Sequence, residues 1–149
     1  MKPEINIALL NAAQEIIGRF SPLIEDEYER SRLGSWGALV LISAMKFNDA
    51  ASSLEKENKD VIDWLERVGK FNIKDLHSEG YVTGETTIDQ LDKNNQLLRD
   101  VLNSTVATLE ENGELKVIGS AFDLMRSMHQ RRKVSDLIGL LQQAESSLS

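Results

Sequence analysis

Two histidines, His77 and His129, are the only imidazoles this chain offers for metal binding or proton transfer. Carboxylate-bridged di-iron bundles use inward-facing Glu-x-x-His motifs. Here the residues three positions earlier are Lys74 and Arg126, so that ligand set is missing. Asp75, His77 and Glu79 alternate and could hold one divalent ion, against the plainer reading of a solvated, charged loop. His129 falls near a helix end, where it can act as a base or pH-sensitive contact, or simply complement the helix dipole. With no cysteine, thiolate zinc sites, iron–sulfur clusters, disulfides and cysteine nucleophiles are all excluded. No Gly-x-Ser-x-Gly elbow is present, and the glycine-bearing run GYVTGET lacks the lysine of a phosphate-binding loop. No catalytic residue, metal or cofactor is therefore assigned, and an enzyme is the lesser expectation.

Charge narrows the partners. The chain carries 17 Lys and Arg against 24 Asp and Glu, a net charge of −7. Duplex binding usually needs a positive face that displaces counterions, so nucleic acid and anionic membrane are not expected partners. Glu25, Asp26, Glu27 and Glu29 form an acidic cluster, readable as a patch for a basic partner or as a solvated face. Arg126, Arg131, Arg132 and Lys133 form a basic one at the end of a helical stretch. The longest strongly apolar run, 36–45, is half of the ~20 residues a spanning helix needs. The start of the chain lacks the clean apolar region of a secretory signal, and a cytoplasmic protein is expected.

These residues are set on helices. Trp36, Val40, Ser43, Phe47, Ala50 and Leu54 recur in steps of three and four, the seam of a packed helix. Leu39, Leu41, Ile42 and Met45 make its first half apolar all round, which predicts a central helix over 36–54, capped by Ser35. Before it, an apolar stripe through Ile5, Ala8, Leu9, Ala12, Ile16 and Phe20 predicts a first helix. That helix is kinked or briefly broken at Ser21-Pro22 and resumes to Gly34. Asp60 and Asp63 resemble a capping pair for a short helix ending at Gly69. Residues 70–86 read as the one long irregular loop, with a short helix at 73–77 or a small hairpin at 81–83 as the ordered alternative. Thr87 and Gln90 form a capping box opening a helix seamed by Leu91, Asn95, Leu98, Leu102, Thr105 and Leu109. A second helix follows, with Leu115, Ile118, Ala121, Phe122, Met125 and Met128 on one side. Ser135 opens a last one, faced by Leu137, Leu140, Leu141, Ala144 and Leu148.

The expected fold is all-α, a single-domain bundle of five or six helices over 1–149, long enough to bury roughly 70% of its unfolded surface. The leading functional expectation is a non-enzymatic protein–protein interaction module: an adaptor, regulator or helical chaperone that docks partner helices on an apolar face. The candidate residues are Asn95, Leu97, Val101, Phe122, Met125 and Met128, with self-association as one form of docking. The alternative is a small-molecule binder or enzyme with a pocket under the 70–86 loop, watched over by Trp64, Phe71, His77 and Tyr81. A third expectation is a subunit of a larger assembly such as a virion.

Overall fold

Every regular element of the computed structural model is helical, among the residues it describes, 4–69, 71–134 and 139. The all-α expectation holds, and no described helix is long and apolar enough to cross a membrane. The expected last helix lies outside the described residues apart from Gly139. The chain falls into two compact units: one takes in the described residues before Ala50 and after Lys133, the other spans Ala50–Lys133.

In the first unit, α1 (Ile5–Glu15) loosens into a π-turn (Ile16–Phe20) and a 3-10 turn (Ser21–Leu23) before α2 (Glu27–Phe47). The expected kink at Ser21-Pro22 is thus a reversal, and α2 runs back along α1. Asp26, not Ser21 or Ser35, caps α2: its carboxylate accepts from the Glu29 N–H at 2.9 Å. Glu27 and Glu29 then sit in the first turn, where the helix dipole favours acids. That accounts for much of the acidic cluster. Ser21 instead turns its hydroxyl inward to the Arg30 carbonyl at 3.0 Å.

The two helices meet on small residues, with Ala13, Gly37 and Ala44 buried. A Cβ on Gly37 would lie 2.6 Å from Ile17 Cγ1 and 2.9 Å from Ile16 Cγ2. Gly37→Ala is expected to lower stability by about 1 kcal/mol net. Overpacking costs about 1–3 kcal/mol, partly offset by roughly 1 kcal/mol of helix propensity. Urea unfolding checks this, and a stabilised variant would contradict the close contact.

The second unit holds the main core. It contains α3 (Ala50–Val68), α4 (Ile73–His77), α5 (Ile88–Glu111) and α6 (Leu115–Arg132). Val61, Trp64, Leu65, Leu98, Leu102, Leu109, Ile118 and Ala121 pack at its centre. The end of α5 is a full Schellman turn: Glu114 N–H donates to the Leu109 carbonyl and Gly113 N–H to that of Glu110, with Gly113 at φ +70°. α6 therefore returns antiparallel to α5. Glu57 and Asp60, in the middle of α3, meet the end of α6, and Trp64, nearer the end of α3, meets Ser120 near the start of α6. α3 is thus antiparallel to α6 and parallel to α5, and residues 69–87 form the crossover that parallel neighbours require.

Four sequence expectations change here. The seam over 36–54 is cut, because α2 ends at Phe47 and α3 begins at Ala50. Its first half is not buried all round: Trp36 is 57% exposed and Leu39 54%. α3 continues unbroken through Asp60 and Asp63, so neither caps a helix. In α1 the buried residue is Ala13, one position from the expected Ala12, and Ile5 and Phe20 stand exposed.

Candidate functional site

Three places could carry function, and the first is polar. α3 has its own seam, Leu54, Asn58, Val61, Leu65 and Val68, and α5 carries Asn95 on its seam. Parallel packing brings the two asparagines together. Asn95 Nδ2 donates to Asn58 Oδ1 and to Glu57 Oε1, both at 2.9 Å, and Asn58 Nδ2 donates to the Leu91 carbonyl at 3.0 Å. Arg132, at the end of α6, closes the set: its Nη2 donates to Glu57 Oε1 at 2.6 Å and to Asn95 Oδ1 at 2.7 Å. Its Nε donates to Glu57 Oε2 at 3.3 Å. Next to it Arg131 pairs with Asp60.

Glu57, Asn58 and Asn95 are all buried, and both Glu57 oxygens are occupied. A carboxylate already saturated by a guanidinium and an amide is poorly placed to take a substrate proton. What the cluster does is fix the register of α3, α5 and α6. Half of the basic cluster, Arg131 and Arg132, is thereby used as internal counter-charge. His129 is exposed in the last turn of α6, lining a cleft with Arg99, Asn103 and Arg132.

The second place is the crossover. α4 forms where a short helix was the ordered alternative, capped by Asn72 on the Lys74 N–H at 3.1 Å. The 81–83 stretch is not a hairpin. Asn94 of α5 grips it, accepting from the Val82 N–H at 3.1 Å and donating to the Val82 carbonyl at 2.8 Å. Gln90 donates to the Gly80 carbonyl at 3.2 Å and to Asn94 Oδ1 at 3.0 Å. Gln90 is therefore not the partner in a capping box, and Thr87 makes no side-chain cap bond.

Burial pushes the Tyr81 phenol above its ordinary pKa. Its ring stacks on His77, which also meets Thr83 Oγ1 at 3.2 Å. Asp75, His77 and Glu79 do not converge, and no group of three or more metal-type ligands does among the described residues. A cleft of ≈ 260 Å³ lies beneath the crossover, between Asn58 and Ile62 of α3, Tyr81 and Val82, and Leu91 and Asn94 of α5.

Of the four residues watched for a pocket, only Tyr81 lines this cleft. Phe71 packs against the core, His77 is exposed, and Trp64 is buried with its indole N–H on Ser120 Oγ at 2.8 Å. Asn94→Ala should release the 80–83 stretch at a cost of about 1–3 kcal/mol, since both Val82 groups lose their partner. Amide exchange at Val82 should speed up while that of the α5 core stays slow. Unchanged protection at Val82 would contradict the clamp.

The third place is apolar. Of the six residues proposed for docking, Asn95 and Met128 are interior. Leu97, Val101 and Met125 are partly covered against the core, and Phe122 is 49% exposed. Larger apolar exposure occurs elsewhere. Among the described residues, nine of the thirteen large apolar side chains left exposed belong to the first unit. Four of them, Tyr28, Trp36, Leu39 and Phe47, follow one another at helical spacing along α2, on the side away from buried Gly37 and Ala44. The apolar periodicity of this segment is legible in the sequence, but the expected burial does not hold for Trp36 and Leu39.

Fold and sites together define an all-α protein with a polar-locked three-helix unit and an apolar-faced helical hairpin. The chain matches no protein-family model, no curated protein and no solved structure.

Proposed function

We propose that this protein is a non-enzymatic interaction module, an adaptor or regulator, whose docking surface is the outer face of α2. The observation that carries this reading is the run of Tyr28, Trp36, Leu39 and Phe47, exposed on one side of a helix whose other side is packed. Contiguous exposed apolar surface of this kind marks partner sites in soluble proteins. Aromatic side chains are the usual anchors of such interfaces. Glu57, the buried carboxylate of the second unit, is already held by Arg132 and Asn95, which disfavours it as a base. The ligand-binding alternative rests on two clefts of the second unit, one of ≈ 260 Å³ beneath the crossover with Tyr81 in its lining and one of ≈ 380 Å³ beside Trp64, and neither brings the four watched residues together. The absence of cysteine suits a reducing compartment, and a cytoplasmic site of action is part of this reading.

The double substitution Trp36→Ser, Leu39→Ser tests it in dilute protein by thermal melting. A docking surface predicts a stability within about 0.5 kcal/mol of the parent, as for other exposed positions. A loss of about 2 kcal/mol or more at each position, the size expected for core side chains, would place them in the chain's own fold and overturn the reading.

A further inference from the structure

A third cleft of the second unit, ≈ 240 Å³ in volume, lies between α5 and α6. Leu102, Met125 and Met128 form its apolar side. Arg99 and Asn103 of α5 face it with His129 and Arg132 of α6. In a chain of net charge −7, this lining contains no carboxylate. The clefts beneath the crossover and beside Trp64 do contain one, Glu55 in the first and Glu114 in the second. One helical turn from Arg99 stand Asn95, Gln96, Leu102 and Asn103, and one turn from His129 stand Met125, Arg126, Arg132 and Lys133. No acid is therefore placed to offset either residue along its own helix.

The two arginines differ in how their charge is met. Glu57 accepts from Arg132 Nε and Nη2, and Nη2 also donates to Asn95, one turn before Arg99. Arg132 is thus locked along one edge, while its Nη1 makes no hydrogen bond among the described residues. A planar guanidinium fixed on one edge offers its remaining N–H donors already oriented, so a ligand that takes them freezes little further motion. Arg99 makes no ion pair or side-chain hydrogen bond among the described residues. With Arg132 matched by Glu57, Arg99 is the uncompensated guanidinium of the cleft, and one negative charge balances it.

We infer that this cleft is a binding site for a small organic monocarboxylate. Its carboxylate is taken by Arg99 and the free edge of Arg132, with Asn103 and His129 as further polar partners. Its apolar body lies on Leu102, Met125 and Met128, whose flexible thioethers adapt to the shape they cover. A bare inorganic anion leaves that apolar side in water, and a neutral molecule makes no use of Arg99. The site belongs wholly to the second unit and goes beyond the docking reading, so it stands or falls without the α2 face.

Hexanoate is the probe, and the methionine methyl groups are the reporters. Of the four methionines in the chain, Met125 and Met128 line the cleft. Titration of methyl-labelled protein followed by NMR is expected to move those two signals to saturation and to leave Met45 in place. A Kd on the order of 1 mM suits a ligand of so few atoms. Hexanol, which lacks the charge, and sulfate, which lacks the apolar body, should each bind about tenfold more weakly or worse. Arg99→Gln, at an exposed position, should weaken hexanoate about tenfold with helicity by circular dichroism unchanged. Arg126→Gln removes the same charge from a residue paired with Asp123 and outside the lining, and should stay within about twofold of wild type. Shifts still linear at about ten times that Kd overturn the site. So do hexanol or sulfate binding as tightly as hexanoate, an Arg99→Gln titration like that of wild type, or equal losses in Arg99→Gln and Arg126→Gln.

Discussion

Arg132→Met is expected to cost the three-helix unit about 3–5 kcal/mol, the usual penalty for stripping one partner from a buried ion pair. The asymmetry of burial decides which partner matters more. The Arg132 side chain is 45% exposed, whereas that of Glu57 is 3% exposed. Removing the carboxylate lets the guanidinium turn to water; removing the guanidinium leaves the carboxylate inside with only the Asn95 amide. Arg132→Met should therefore exceed Glu57→Gln in cost. The double variant should recover part of the loss, because a neutral amide can exchange hydrogen bonds with Asn95. A double-mutant cycle by urea unfolding measures this. Additive costs would show that the pair is not coupled.

Leu102→Ala should destabilise by about 2–5 kcal/mol. Leu102 is 1% exposed and lies in the cluster with Leu65, Leu98 and Leu109. Truncation strips dispersion contacts from the side chains around it and deepens the cleft that Leu102 lines with Met125 and Met128. Comparison with Leu39 is instructive, since the two leucines are chemically identical. Truncating the one on α5 removes core; truncating the one on α2 removes surface. A Leu102→Ala loss below 1 kcal/mol in urea unfolding would mean that the centre of the second unit lies elsewhere.

The parts legible in the sequence are those set by local periodicity. α5 is buried along Leu91, Asn95, Leu98, Leu102 and Leu109 as its spacing implies, with Val106 rather than Thr105 completing the line. Gly69 and Gly113 take positive φ at helix ends, where glycine is the natural stop. The long-range choices were not legible. Ser21, Asp26 and Ser35 can all cap a helix, and only the reversal of the chain selects Asp26. Gln90 suits a capping box, yet the nearby Gly80 carbonyl and Asn94 recruit it instead.

Glu57 and Arg132 lie 75 positions apart, too far for any local pattern to pair them. A seam polar residue on each of α3 and α5 was the available hint. The segment around Trp36 failed for a different reason. An apolar face awaiting a partner and an apolar face inside a core have the same periodicity, and only the packed structure distinguishes them.

Whether that face is open in the single chain is the central question, and the two tryptophans make it measurable. Trp64 is 2% exposed and Trp36 57%. In a Trp64→Phe protein, all indole fluorescence comes from Trp36. The account predicts red-shifted emission readily quenched by acrylamide at high dilution, moving to the blue and becoming protected as a partner covers the face. Blue, quencher-resistant emission at the highest dilution, lost only on unfolding, would contradict it by placing Trp36 inside the chain's own core.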